Sequence, residues 1–164
     1  MMPKTEIKFS WVYNNRENNG NFSVKDLEEL KIKCGDFLNL YNKNIKKILQ
    51  LIEKYSGMPW KIEYIPIWIV KTNNRSFSDP LTLKYRDNKE AMLIVLIHEL
   101  VHNNLGGVQF RWDYEKNEQY VNLVTKHVAI DIGIDLTNAP MKNFDDVKKL
   151  NFNLDNKPLK EFLK

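Results

Sequence analysis

The segment between residues 91 and 102 contains two histidines and a glutamate at a spacing that suits metal chemistry. His98, Glu99 and His102 form the pattern His-Glu-x-x-His. On an α-helix, residues four positions apart lie about 40° from each other around the axis, so both imidazoles can reach one Zn²⁺ ion. Glu99 lies about 100° from His98, beside the ion and not on it, where it can act as the base for a zinc-bound water. The pattern therefore predicts a zinc site with His98 and His102 as ligands and Glu99 as the catalytic residue.

The residues around this pattern predict a long buried helix. An uninterrupted apolar run, Ala91 to Ile97, leads into it, so the helix is apolar on all sides and belongs in the core. Asp87 and Glu90 have the spacing of a capping box at its start, with Asn88 as a competing cap. Two glycines, at positions 106 and 107, supply a C-terminal stop.

A third ligand has to come from outside this helix, because a catalytic zinc takes three protein ligands and keeps one position open for water. A second helix is predicted to start at a cap, either Asp113 or Asn117, and to run to about Ile132. Glu118 lies near its start, sixteen residues after His102. It is the predicted third ligand.

Asn122 follows Glu118 by one helical turn and lies on the same face. It can accept a hydrogen bond from a ligand imidazole and hold its tautomer. Glu115, one turn before Glu118, and Asp113 remain alternative ligands. His127 is not expected to be a ligand, since it lies on roughly the opposite side of the same helix from Glu118.

Taken together, these motifs resemble the gluzincin metallopeptidases, the thermolysin-like clan in which a glutamate on a following helix completes the His-Glu-x-x-His site. The run Asn117-Glu118-x-x-x-Asn122 is similar to the glutamate-helix motif of that clan, with Asn122 where an aspartate is more usual. The small size and the strand-then-helix start look most like the minigluzincins. These are minimal soluble relatives of the catalytic domains of integral-membrane metallopeptidases. The resemblance covers roughly residues 7–133.

This resemblance implies an activity and a ligand set. The protein is expected to be a small zinc endopeptidase, with Zn²⁺ held by His98, His102 and Glu118 and with Glu99 as general base. Its expected partner is a peptide or protein substrate. Larger gluzincins have a second subdomain that supplies a histidine or tyrosine to stabilise the transition state, and this chain has no room for one. The sequence therefore identifies no oxyanion donor.

The rest of the chain predicts an α/β fold, with a small mixed β-sheet, a backing helix, the His-Glu-x-x-His helix and the glutamate helix. Alternating β-rich residues predict strands near 7–13, 60–70 and 81–85. Pro66 requires the second strand to lie at an edge, to contain a bulge or to break in two. The strand at 81–85 is predicted to be a sheet edge, to which an extended substrate can add. Apolar residues at helical spacing between 27 and 55 predict the backing helix.

Residues 139–164 are predicted to form a C-terminal tail beyond a catalytic domain of residues 1–138. The tail contains apolar side chains that prefer burial, namely Phe144, Val147, Leu150, Phe152, Leu159, Phe162 and Leu163. Minigluzincins are known as latent forms whose C-terminal segments occupy the cleft, and the resemblance implies the same here. We therefore expect the tail to cover the cleft of its own chain or of a partner in a homo-oligomer. The alternative is that it packs on the far side as an ordinary terminal helix.

Charge, cysteine content and apolar runs argue against several other classes of function. The net charge is +4, but lysines and arginines are scattered among acidic residues, so nucleic-acid binding is not expected. Cys34 is the only cysteine, which excludes a disulfide framework and a cysteine metal site and makes it a small core residue. The chain has no apolar run of about 18 residues and no apolar signal segment, so we expect no membrane association and a cytoplasmic location. Two alternatives remain open: a zinc-binding regulatory or interaction module with little activity, and a basic binding protein in which the motif is a relic.

Overall fold

The computed structural model of the chain describes residues 1–72, 74–106, 114–137 and 139–140. Within these ranges the chain folds into a four-stranded mixed sheet and five helices, which confirms the predicted α/β class. The elements in chain order are β1 (Lys4–Lys8), α1 (Trp11–Glu17), α2 (Val24–Lys33), α3 (Gly35–Ser56), β2 (Tyr64–Val70), β3 (Phe77–Ser78), β4 (Leu81–Lys84), α4 (Lys89–Leu105) and α5 (Tyr114–Asp131). Of the predicted tail, all but Ala139 and Pro140 lies outside the described residues, so its predicted position over the cleft stays a prediction.

The sheet has the strand order β1-β2-β4-β3. β2 pairs in parallel with β1 and with β4, whereas β3 pairs antiparallel with β4. The prediction that the segment 81–85 forms a sheet edge is therefore wrong. The chain reverses after Ser78, which pairs with Leu81, so β3 covers the outer side of β4 and is itself the edge strand. Leu81, Thr82 and Leu83 are all buried, as is typical of a strand that is covered on both faces.

Pro66 lies inside β2, opposite Glu6 of β1. The backbone N–H of Lys4 donates to Glu63 O, so the backbone groups of Glu63 point towards β1. Every second residue of a parallel strand bonds to the same neighbouring strand. Pro66 is three residues after Glu63, so its nitrogen faces away from β1. On that other side, β4 pairs with β2 only from Trp68 onward. Pro66 therefore occupies a local edge position, one of the three arrangements that its missing N–H allows.

The predicted strand at 7–13 is only partly correct. β1 ends at Lys8, and the residues after it turn into α1. Ser10 caps this helix by accepting a hydrogen bond from Tyr13 N. Asn14 is fully buried and hydrogen-bonds to the backbone at the end of β2, which ties α1 to the sheet. The Ser10 cap and the buried Asn14 amide favour a helix after residue 10. The alternating pattern does not include these interactions, so it predicted too long a strand.

The predicted backing helix is divided at Cys34 into α2 and the longer α3. Ser23 and Asp26 form a capping box at the start of α2. Cys34 is completely buried, as predicted for a small core residue. α3 ends at Gly57, whose φ of 66° is a left-handed conformation that glycine adopts without steric cost.

The helix that carries the motif, α4, lies at the centre of the fold. α3, α5, β3 and β4 all pack on it. Several of its side chains are completely buried, among them Met92, Leu93, Ile94, Leu96, Ile97, Leu100 and Val101. Neither α4 nor any other helix in the described ranges is long and apolar enough to cross a lipid bilayer. Packing on every side therefore holds the motif residues on a rigid support.

The N-cap of α4 is Asn88, whose side chain accepts hydrogen bonds from the backbone N–H groups of Glu90 and Ala91. The predicted capping box of Asp87 and Glu90 is wrong, and the competing cap is correct. Asp87 instead accepts a hydrogen bond from the hydroxyl of Tyr85, which holds its carboxylate away from the helix start.

Candidate metal centre

α4 presents His98 and His102 next to each other, one helical turn apart. Their Nε2 atoms are 3.2 Å apart, and the two rings meet edge to face with their centroids separated by 4.8 Å. Only 11% of each imidazole side chain is exposed. The two nitrogens therefore point at one small volume that is largely shielded from solvent.

α5 brings Glu118 to the same point. Glu118 Oε2 lies 3.6 Å from His98 Nε2, and Oε1 lies 3.2 Å from His102 Nε2. The apolar face of α5 packs on the core, and the hydroxyl of Tyr120 donates to Ser56 O at the end of α3. These contacts set the depth of Glu118 relative to α4. The three ligand atoms lie within 4.8 Å of one another, close enough to hold a metal ion.

The other candidate ligands do not join this group. Glu115 is exposed in the first turn of α5 and is not part of the cluster. Asp113 lies outside the described residues. Asn117 is buried inside α5, so the prediction that it caps the helix is wrong. His127 stacks on the Tyr55 ring at a centroid distance of 5.2 Å and is not part of the cluster.

The spacing of the three ligand atoms can be compared with a tetrahedral ion. Ligands bound at about 2.0–2.1 Å and at tetrahedral angles lie roughly 3.3 Å from one another. The two histidine nitrogens are 3.2 Å apart, close to this value. One carboxylate oxygen of Glu118, Oε1, lies 3.2 Å from His102 Nε2, and the other, Oε2, lies 3.6 Å from His98 Nε2. The three residues are therefore close enough to share one ion and supply three of its ligands.

The electrostatics of the site favour the protonation states that a metal requires. Burial and the neighbouring His102 lower the pKa of His98 to about 4, so this imidazole is neutral near pH 7. Burial raises the pKa of Glu118, but the hydrogen bond from His102 and the attraction to either imidazole in its protonated form outweigh this effect and hold that pKa below its ordinary value. Neutral imidazole and ionised carboxylate are the forms that bind metal ions.

Asn122 lies one turn after Glu118, and its side chain interacts with the His98 imidazole. This interaction raises the pKa of His98, but by less than burial lowers it. His98 Nδ1 and Asn122 Oδ1 are both buried, and neither has a close hydrogen-bond partner. A hydrogen bond from Nδ1–H to Asn122 Oδ1 would satisfy both atoms and leave Nε2 unprotonated for a metal. This is the role that the sequence predicted for Asn122.

Glu99 lies beside the three ligand residues and is not one of them. Its side chain is buried, with only 7% of the residue exposed. Burial raises the pKa of Glu99 to about 7, an effect that the charge of Glu118 adds to and that of His102 opposes. A carboxyl group whose pKa lies near neutral pH can both take up and release a proton there.

These residues form one wall of a cleft of about 470 Å³. Residues 75–78, in and before β3, form another part of it. The remaining lining side chains are those of Arg86, Val95, Tyr114 and Pro140. The volume of the cleft lies within the range typical of ligand-binding clefts, and the edge strand β3 forms part of its lining.

The sequence did not single out Arg75, Arg86 or Tyr114 as residues of the site. Arg86 was detectable in principle, because it lies two residues before Asn88, the cap of the motif helix, and therefore had to lie near that helix. Arg75 and Tyr114 had no such signal, since their positions depend on how β3 and α5 pack against α4.

Comparison of the chain with protein-family models, with curated proteins and with solved structures finds no significant match. The geometry of the cleft and of its side chains is therefore the basis for assigning a function.

Proposed function

We propose that this protein is a zinc-dependent endopeptidase with His98, His102 and Glu118 as metal ligands. The observation that carries the proposal is the convergence of three ligand atoms beside a buried carboxyl group at the wall of an open cleft. A structural zinc site is closed by four protein ligands, whereas a catalytic site has three and an open position. Three ligands that face a cleft match the catalytic kind.

We favour zinc because a His-Glu-x-x-His pattern on a helix is typical of the zinc sites of metalloproteases. Two imidazoles and one carboxylate also form the facial triad of non-haem iron sites. The separation of the two histidine nitrogens, 3.2 Å, lies between the roughly 3.0 Å of an octahedral ion and the roughly 3.3 Å of a tetrahedral one. The choice of zinc therefore rests on the motif, and metal analysis tests it.

The chemistry follows from these positions. His98, His102 and Glu118 would hold a Zn²⁺ ion, which would lower the pKa of water bound to it towards neutrality and polarise the carbonyl of the scissile bond. Glu99 accepts a proton from the attacking water and then donates it to the leaving amine. In the metal-free protein burial raises the pKa of Glu99 to about 7, and the charge of a bound ion would favour the ionised form that accepts a proton. Asn122 keeps the His98 ring in orientation through its Nδ1 side.

The resemblance to the gluzincins supports the same proposal. In that clan the third ligand is a glutamate on a helix that follows the motif helix, and Glu118 on α5 stands in the corresponding place. The spacing of Glu118 and Asn122 on α5 matches the glutamate-helix motif, with asparagine in place of the usual aspartate. We therefore propose a minigluzincin-like catalytic unit.

β3 is the strand at which an extended substrate would bind. In the described part of the chain, no strand pairs with the outer edge of β3, and the strand lines the cleft. Asn103 of α4 donates to Ser78 O, which fixes the end of this edge relative to the motif helix. Main-chain hydrogen bonds to such an edge select extended peptides without selecting their sequence.

The direct test is metal analysis of the purified protein together with peptide cleavage. We expect one zinc ion per chain, and cleavage within a mixed peptide library that stops on chelation and returns on addition of Zn²⁺. Zinc at one equivalent without cleavage, by either the full chain or a chain ending at Asn138, would instead identify a zinc-binding module. Absence of both zinc and cleavage would contradict the proposal.

We also propose that residues 139–164 keep the enzyme latent by covering the cleft. Pro140 supports this, because it lines the cleft and the remaining chain continues from there. A chain ending at Asn138 is expected to cleave peptides faster than the full chain and to lose its metal faster to a small chelator. The comparison requires circular dichroism spectra that show both proteins folded. A folded short chain with unchanged activity and unchanged metal loss would rule out latency.

A further inference from the structure

Arg86 lines the cleft from the short segment between β4 and α4. Its side chain is half-buried, and its Nε atom is buried with no hydrogen-bond partner. Buried polar groups in folded proteins are nearly always hydrogen-bonded, and leaving one unpaired is unfavourable, above all for a charged group. A guanidinium group held in this state at the wall of a cleft indicates a ligand that completes its hydrogen bonds.

Asp87, next to Arg86 in the sequence, and Glu118, in the same cleft, both have other partners. Asp87 accepts a hydrogen bond from Tyr85, and Glu118 lies against the two histidines. Arg75 adds a second positive charge to the lining of the same cleft and is exposed. With a divalent cation at the ligand triad, the cleft attracts anionic groups.

We propose that Arg86 is a specificity-determining residue that binds a carboxylate of the substrate, a role that rests on the proposed peptidase function. A guanidinium group presents two parallel N–H donors at the spacing of a carboxylate, and it remains charged at all relevant pH values. The carboxylate is either an acidic side chain or the C-terminus of the peptide. The two sources share one chemistry and differ only in where the peptide lies relative to the scissile bond.

Binding can be measured separately from cleavage with the zinc-loaded Glu99→Gln chain, in which the proposed base is absent. Three short N-acetylated peptides serve as probes: a neutral C-terminal amide, the same peptide with a free C-terminal carboxylate, and the amide with one Gln replaced by Glu. Isothermal titration should show one of the two anionic peptides binding about 10- to 100-fold more tightly than the neutral amide. Whichever peptide gains affinity identifies the source of the carboxylate.

Arg86→Gln in the same background should abolish this preference, and Arg86→Lys should restore part of it, because lysine retains the charge but not the paired donors. Arg16→Gln is the matched control, since Arg16 is exposed on α1 and does not line the cleft. In the active enzyme, Arg86→Gln should raise KM for the preferred peptide by a similar factor with a smaller change in kcat.

The inference would be overturned by equal binding of all three peptides or by an anionic preference that survives in Arg86→Gln. It would also be overturned if no peptide binds to either the full Glu99→Gln chain or the same variant ending at Asn138. Other results would distinguish failure of the proposed peptidase function from failure of the role of Arg86. Cleavage of neutral and anionic peptides at equal rates would retain the peptidase and remove the role of Arg86. Arg86-dependent binding of a carboxylate peptide without any cleavage by the wild-type chain would retain the anion site and remove the peptidase.

Discussion

Replacement of Glu99 by alanine is expected to lower the rate of peptide cleavage by about 10²–10⁴-fold while zinc stays bound. Glu99 lies beside the ligand triad and contributes no ligand atom, so its loss removes a proton acceptor and leaves the metal in place. The measurement is kcat/KM on a peptide that the wild type cleaves, together with the zinc content of both proteins. An unchanged rate in the variant would refute the proposed mechanism.

Stability provides a control for this variant. The pKa of Glu99 in the folded protein is raised from 4.5 to about 7, so the folded state favours the protonated form. In the metal-free protein, the contribution of Glu99 to the free energy of unfolding is therefore most favourable below about pH 4.5. This contribution is lost as the pH rises through about 7. The Glu99→Ala protein should lack this part of the pH dependence in chemical unfolding. A variant that is folded and metal-loaded but inactive separates loss of the base from loss of the fold.

Replacement of Glu118 by alanine is expected to weaken zinc binding by more than about 100-fold, since even residues that only orient a ligand contribute about 10–100-fold to metal affinity. Glu118 is the proposed third ligand, and its two carboxylate oxygens lie 3.2 Å from His102 Nε2 and 3.6 Å from His98 Nε2. The measurement is a competition titration of each variant against a chelator of known affinity. Activity should fall in parallel, because the proposed chemistry requires the ion.

Glu115→Ala is the matched control for this substitution, because Glu115 is an exposed glutamate on the same helix, one turn earlier. It removes the same charge from α5 without touching the triad, so zinc affinity should stay close to that of the wild type. If Glu115→Ala loses the metal and Glu118→Ala retains it, the ligand assignment is wrong. Circular dichroism of both variants confirms that α5 remains folded.

Local sequence was sufficient for the part of the site that lies on one helix. The relative direction of His98, Glu99 and His102 depends only on helical geometry, and the apolar run before them made that helix certain to be buried. The end of α3 at Gly57 also depends on local sequence, because the left-handed φ there is a conformation that glycine adopts without steric cost. The preference for Glu118 over Glu115 rested on Asn122 one turn later and on the resemblance to the gluzincins, and the sequence left Glu115 open as an alternative.

Other features depended on contacts between residues far apart in the chain. β4 is interior because β3 folds back on it, and a two-residue strand has no periodic pattern to detect. The distance from Glu118 to the histidines is set by the packing of α5 on α4 and α3, which the periodicity of either helix leaves open. Arg86 became visible as a cleft residue only when β3, α4 and α5 were assembled around it, because an unpaired buried nitrogen is a property of its surroundings and not of its position in the sequence.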